Sequence, residues 1–322
     1  VERGWIKGLT QLGVDVREYN LHDRLNYFAS NYHKHVATGE FHKVHSPDEV
    51  VHLAAGGIKQ ACYDWWPDVV IVISAFFVHQ LLVEIMRGRG HKVAVVFTES
   101  PYEDDRQLAQ AELFDAVVLN DPTNIDKFRD VNRNTLYLPH AYDPDIHHPG
   151  TSSFKADCSF VGTGFPSRVQ FLDEVDWDGI DLALAGNWKD VPYSLAKYVV
   201  HDPGDCLPNE QTADVYRGSL TSFNLYRTEA QREELSEGWA MGPREVELAA
   251  CGTWFARQSR PEGDDLFPML PLFESPDELG DLIRWALAHE AERQEAARKA
   301  RAVVADRTFD ANAKRLLSTL GL

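Results

Sequence analysis

Two apolar runs constrain the fold of this chain more than anything else in it: V-V-I-V-I-S at residues 69–74 and K-V-A-V-V-F at residues 92–97. Neither alternates with polar residues, so both faces of each strand must be covered. That is the situation of a parallel sheet whose crossover helices lie above and below it. The neighbouring segments keep the same rhythm. Helical stretches fall at Pro47–Trp65 and Val78–Gly90, and further strands are predicted at Val14–Tyr19, Ala116–Leu119 and Thr135–Leu138. Ile6, Leu9 and Leu12 share one helical face ahead of the first of these strands. A chain that opens on a helix in this way reads as entered in mid-domain, with a first strand and its loop upstream.

The rhythm breaks at Pro139–Ser153, where proline, glycine, serine and histidine gather without periodicity, and a domain boundary is expected there. A second α/β series follows, with strands predicted at Cys158–Val161, Asp181–Ala185, Leu220–Leu225, Thr253–Ala256 and Leu270–Phe273. Three helices close the chain, at Pro276–His289, Glu290–Ala305 and Phe309–Leu320. The expected organisation is therefore two Rossmann-like doubly wound domains facing across a cleft, residues 1–148 and 149–305, with 306–322 as a final helix. Sheets of this kind bind at the carboxyl ends of their strands, so the chemistry should lie in the loops that follow them.

Charge and composition exclude several classes of partner. The 322 residues carry 32 Lys or Arg against 50 Asp or Glu, a net charge of −18, and no basic run. Bulk nucleic-acid binding is not expected of such a surface. No apolar stretch reaches the roughly 18 residues of a membrane span. Cys62, Cys158, Cys206 and Cys251 stand far apart in no metal-ligand spacing, which points to a reducing, cytoplasmic setting. Six histidines crowd into residues 22–52 without cysteine or regular H-x-x-x-H spacing, so a loop fits them better than a metal site.

Two constellations in the second half suit an anionic ligand. In F-V-G-T-G-F-P-S-R, residues 160–168, a strand runs into Gly162, Thr163 and Gly164 and a helix begins near Pro166. Glycines allow close backbone approach, the helix start offers free N–H groups, and Arg168 adds a cation; a plain tight turn is the other reading. In S-L-T-S-F-N-L-Y-R-T a strand ends near Asn224 and Arg227, and G-P-R-E-V-E-L-A-A-C-G follows after a polar insert. Gly242 and Pro243 mark a helix start. Arg244 and Glu247, three apart, share a helix face, so a cation for a diphosphate and a carboxylate for two ribose hydroxyls point the same way. An intrahelical ion pair on a solvated face is the competing reading.

In the first half, T-E-S-P-Y-E-D-D-R follows a predicted strand directly, which makes Glu99 and Asp104 candidates for a general base. The helix dipole alone would also favour acid at that position. His79, after another strand end, and His140, at the break between the halves, are rival bases, although each also suits a structural role.

The pieces N-L-Y-R, G-P-R-E-V-E-L-A-A-C-G, F-E-S-P-D-E-L and T-F-D-A-N-A-K-R-L-L together resemble the CgeB-like group of glycosyltransferases, of the two-Rossmann-domain GT-B class. The similarity is strong from about Phe160 to the end and looser before it. The resemblance implies a C-terminal domain that holds a UDP- or GDP-sugar, an N-terminal domain that holds an unidentified acceptor, no required metal or other cofactor, and a last helix that crosses back. It puts Glu247 in the place of the ribose-binding glutamate and Arg227 and Arg244 where phosphate contacts fall. Glu237 and Glu245 show the seven-residue spacing of paired glutamates in retaining members, while Glu247 aligns with A-C-G, so the stereochemical outcome stays open. A nucleotide-sugar epimerase on the same architecture and a non-catalytic two-lobed binder are the alternatives. A modified DNA base is among the acceptors to be weighed.

Overall fold

The computed structural model describes residues 1–204, 206–229 and 238–322. The chain forms two compact units, Val1–Leu138 with Ala313–Leu322, and Pro139–Asn312.

The first unit opens with α1 (Glu2–Gln11), α2 (Leu21–Ala29), β1 (Tyr32–Lys34), β2 (Phe41–Lys43) and α3 (Pro47–Trp65). It continues through β3 (Val69–Ile73), α4 (Gln80–Gly88), β4 (Lys92–Phe97), α5 (Asp104–Ala111), β5 (Ala116–Leu119), α6 (Ile125–Val131) and β6 (Thr135–Tyr137). The last four strands form a parallel sheet in the order β3-β4-β5-β6. The two unbroken apolar runs differ: β4, like β5, is buried on both faces, while β3, at the sheet edge, is only partly buried along its whole length. Phe97, Phe114 and Phe128 pack edge-on or tilted within the core they build.

Val14–Tyr19 is not a strand. The segment is extended but hydrogen-bonds to no ladder, and Tyr19 instead donates its hydroxyl to the Ala54 carbonyl at 2.7 Å, beside Gly57. The strand it would need beside it is β3, whose outer edge pairs with nothing among the described residues. β3 and residues 13–20 instead line a groove of about 1760 Å³. Alternation alone cannot make a strand without a neighbour to satisfy its backbone. The α2–β1–β2 excursion was not foreseen: no residue of α2 is buried, and β1 and β2 form an antiparallel pair with His33 opposite His42.

The second unit runs through β7 (Ala156–Val161), α7 (Pro166–Asp173), β8 (Leu182–Ala185), α8 (Tyr193–Ala196), α9 (Asn209–Gly218) and β9 (Ser219–Asn224). Then come α10 (Pro243–Cys251), β10 (Trp254–Arg257), α11 (Pro261–Leu266), α12 (Pro276–Ala288), α13 (Glu290–Val303) and α14 (Phe309–Leu320), whose last residues fold with the first unit. The sheet is parallel, in the order β10-β9-β7-β8. From β7 the chain steps to β8 on one side and then crosses to β9 on the other, so the order reverses beside β7. In an open α/β sheet the ligand crevice lies at the carboxyl ends of the strands at such a reversal. The residues there are Val161 and Gly162 after β7, and Asn224 at the end of β9.

Beneath that crevice Phe160 stacks on Phe223 at 5.0 Å and meets Trp188 edge-on at 5.9 Å, in a core of large aromatics. The strand expected at Leu270–Phe273 is reduced to one bridge, Leu272 to Arg257, because Pro271 interrupts the donors a ladder requires. No described helix is long and apolar enough to cross a membrane.

Candidate functional site

The loop after β7 is held shut by protein atoms. Gly162 takes the Ala185 carbonyl and Gly164 the Asn187 carbonyl, each N–H donating at 2.8 Å. A Cβ on Gly162 would lie 2.6 Å from Arg244 Nη2, and one on Gly164 would lie 2.5 Å from the Trp188 ring. The sequence suggests that these glycines make room for a ligand's close approach; the room they leave is filled by Arg244 and by the Trp188 indole. Gly186, which belongs to neither sequence motif, completes the corner with φ +108 and a would-be Cβ 2.2 Å from the Gly162 carbonyl oxygen. Its signal was present as the glycine directly after the strand run L-A-L-A. Gly186→Ala is expected to destabilise the protein by roughly 2–4 kcal/mol, since both the positive φ and the backbone collision oppose it. Thermal unfolding checks this, and an unchanged midpoint would contradict it.

The start of α7, predicted to offer N–H groups to an anion, already holds one. Glu229 accepts from the Ser167 N–H at 2.7 Å and from its hydroxyl at 2.9 Å. These bonds outweigh desolvation and hold the Glu229 carboxyl below its ordinary value.

Helix α10 delivers the other candidates. Gly242 is its N-cap, Pro243 occupies the first turn, and Gly252 closes it in the left-handed region at φ 78. The small residues Ala249 and Ala250 are buried on its inner side. Glu245, fully buried, is committed to the cap: its Oε2 accepts from the Gly242 N–H at 2.9 Å and from the Tyr226 hydroxyl at 2.5 Å. The spacing partner Glu237 lies outside the described residues.

Arg244 decides between the two readings of its helix. Its guanidinium does not turn to Glu247 one turn away; Nε donates to the Val161 carbonyl at 2.8 Å, Nη1 to Asn224 Oδ1, and the group lies over the Phe160 ring at 4.3 Å. The charge is thus fixed across the carboxyl ends of β7 and β9. Asn224 is 1% exposed, and its Nδ2 has no hydrogen-bond partner among the described residues. Gly242 lies next to it, a Cβ there being 3.7 Å from that Nδ2. An orphaned buried donor beside a helix N-terminus suits an anion.

Two more arginines join this corner. Arg168, 8% exposed, donates from Nε to the Leu225 carbonyl at 2.9 Å and from Nη1 to the Thr163 carbonyl at 3.1 Å. Arg227 lies over Phe165 at 4.9 Å, on a ring that Arg168 also approaches at 5.5 Å. Burial, then the Arg244 charge and then the Arg227 charge push Arg168 down to about 9, and Glu229 opposes them more weakly. Three guanidiniums thus gather at one corner, and the charges of the other two add to burial at Arg168. A fixed cation cluster of this sort lowers its energy by receiving an anion.

Glu247 lies further along α10, with its side chain 22% exposed. Burial pushes its carboxyl up to about 7, against the pull of Arg244. Because the folded state holds this proton more tightly than the unfolded chain, the group's contribution to stability is complete below the ordinary 4.5 and is lost as pH rises through about 7. Glu247→Gln is expected to flatten the fall in stability between about pH 5 and pH 8, read as the melting temperature across that range. A wild-type slope retained in the variant would contradict the assignment.

The first unit holds the predicted base candidates. Asp104 is 4% exposed at the start of α5; its Oδ2 accepts from Asn124 at 2.8 Å, its Oδ1 makes no hydrogen bond of normal geometry among the described residues, and burial raises its pKa. Glu99 lies half-buried just past β4, its carbonyl accepting from the Glu103 N–H at 3.2 Å. His79 is the N-cap of α4, its Nδ1 accepting from the Leu81 N–H at 3.1 Å, which is the structural role. His140 falls on the segment that opens the second unit. The arginine, glycine and Glu247 candidates therefore gather in one unit, while Glu99, His79 and Asp104 belong to the other.

Comparison with known proteins gives a family match over part of the chain and a likeness of fold over most of it. Residues 168–318 match the family described as glycosyl transferase-like. No curated protein matches the sequence. Among solved structures the chain resembles sucrose-phosphate synthase from Thermosynechococcus elongatus, with a TM-score of 0.63 and 12% identity over 99% of this chain and 92% of that one. It also resembles Anabaena HepE, solved in complex with UDP-glucose, with a TM-score of 0.55 and 11% identity over 84% and 82% of the two chains. A putative UDP-N-acetylglucosamine 2-epimerase from Listeria monocytogenes gives a TM-score of 0.54 and 14% identity over 87% and 80%. At such identities the likeness is one of fold. Residues 168–318 thus carry the sequence pattern of a glycosyl transferase-like family, on the fold of the GT-B glycosyltransferases.

Proposed function

We propose that this protein is a glycosyltransferase of the CgeB-like kind that moves a sugar from a nucleotide-diphosphate donor to an acceptor hydroxyl. The observation that carries the reading is the convergence of Arg168, Arg227 and Arg244 at the strand reversal of the second unit. Cleaving the sugar–phosphate bond leaves negative charge on the departing diphosphate. A preorganised set of guanidiniums and a helix N-terminus stabilise that charge without a metal. Arg244 and Arg227 contact the phosphates, with Asn224 Nδ2 and the Gly242–Pro243 start of α10 beside them. Arg168 holds the β7 loop, through Thr163 and next to Gly162 and Gly164, and adds its charge. Glu247 accepts the two ribose hydroxyls.

Glu99 and Asp104 are the proposed bases on the acceptor side, with Asp104 favoured because it is buried, burial raises its pKa, and its Oδ1 makes no hydrogen bond of normal geometry among the described residues. His79 is the weaker candidate, since capping α4 already occupies its Nδ1. The resemblance and the HepE complex favour UDP or GDP as the leaving group. Four free cysteines suit a reducing, cytoplasmic setting.

Incubation with a panel of UDP- and GDP-sugars tests the reading, with the products followed by mass spectrometry. Release of free nucleoside diphosphate from one donor is expected. An intact nucleotide sugar of altered configuration would mark an epimerase, and no turnover despite tight binding would mark a binding protein.

A further inference from the structure

Resting on the reading of Glu247 as the ribose carboxylate, we propose that His147 is its positioning residue, donating Nε2–H to Glu247 Oε1 when a nucleotide is bound and leaving Oε2 to meet the ribose.

His147 is 3% exposed, yet among the described residues neither ring nitrogen makes a hydrogen bond of normal geometry. A buried imidazole with both polar atoms unmet is costly enough to need a partner in some state of the protein. The atom that stands ready is Glu247 Oε1, 3.9 Å from Nε2. That is too long for a hydrogen bond and within a small side-chain adjustment of one.

The backbone around the ring is pinned. The Ile146 and His147 N–H groups both donate to the Asp143 carbonyl, at 3.1 and 2.7 Å. Arg217 Nη1 on α9 donates to the Ile146 carbonyl at 2.8 Å, and a Cβ on Gly252, at the end of α10, would meet Pro149 at 3.4 Å. Segment 143–149 is thus anchored against both helices, while the imidazole it carries keeps an unmade bond toward Glu247. Such an arrangement fixes where a carboxylate is held once its charged form is needed.

The charge balance suits a neutral donor. Asp143 and, on α9, Arg217 and Glu210 face the ring, while Arg244 faces Glu247 and the buried Tyr216 and Cys251 adjoin it. Burial outweighs the Asp143 backbone, which favours the protonated ring, and these charges, and lowers His147 to about 4, so near neutral pH it offers one N–H without bringing a second charge. That N–H favours the ionised form of Glu247, the form that accepts from a diol.

Titration calorimetry with UDP and with GDP, from about pH 6 to pH 9, on wild type, His147→Phe and His147→Gln tests the proposal. Wild-type affinity should rise with pH through a midpoint near 7. In His147→Phe it should fall about tenfold, the scale of one hydrogen bond to a charged group, and the midpoint should move up by about one pH unit. His147→Gln, which keeps an N–H donor, should recover most of both. In a Glu247→Gln background the His147→Phe effect should vanish. Wild-type affinity and midpoint in His147→Phe would overturn the proposal, and so would equal loss in both His147 variants, which marks mere packing. If wild type binds neither UDP nor GDP, the reading of Glu247 falls and this inference falls with it.

Discussion

Replacing Arg244 with alanine is expected to reduce sugar transfer by about 10²–10³-fold, the usual cost of removing one preorganised donor from a developing anion. The side chain is in a position to matter because it is fixed before any ligand arrives. Val161, Asn224 and the Phe160 ring hold the guanidinium in one place, and Gly162 leaves the space it fills. Steady-state kinetics at saturating donor should show the loss mainly in kcat, since the leaving diphosphate is more negative in the transition state than in the bound donor. Arg244→Lys should recover little, because a point charge on a flexible stem cannot repeat the two anchoring bonds. A drop confined to KM would mean that Arg244 only binds the donor. An unchanged rate would remove it from the site.

Glu247→Ala is expected to weaken nucleotide binding by about 10- to 100-fold, since a hydrogen bond to a charged group contributes about 1.5–3 kcal/mol. The opposing effect is relief of desolvation, because burial makes this carboxylate costly to ionise. Binding should nevertheless fall, since a buried carboxylate with a raised pKa serves a bound hydroxyl pair better than it serves the empty protein. Deoxyribose and ribose diphosphates should separate the two effects: wild type should prefer the ribose form, and Glu247→Ala should lose that preference. Equal loss for both would mean that the helix, not the hydroxyl contact, had been damaged.

Most of the fold was legible because its cause is local. The runs at β3 and β4 have no polar face to expose, and the α14 pattern ends where the helix ends, at Leu320. Where the reading failed, the missing information was a neighbour. Val14–Tyr19 alternates like a strand but does not pair with the open edge of β3, and the Leu270–Phe273 run cannot ladder past Pro271. The site divides along the same line. The placement of Gly242, Pro243, Arg244 and Glu247 at the start of one helix was readable because helix spacing is local.

Residues whose role depends on contacts far along the chain were not readable. Nothing in the sequence says that Gly162 makes space for a side chain 82 residues later, or that Glu229 caps α7. His147 carries no spacing signal at all. It becomes visible only when its ring proves buried without a hydrogen bond beside Glu247.

The central claim is that the strand reversal of the second unit binds a nucleoside diphosphate through Arg244. The most direct measurement is titration calorimetry of UDP and GDP against wild type and Arg244→Ala at about pH 8, where Glu247 is ionised. The account requires one diphosphate to bind wild type and to bind the variant at least tenfold more weakly. Equal affinity for the two proteins, or no binding of either diphosphate to wild type, would contradict it.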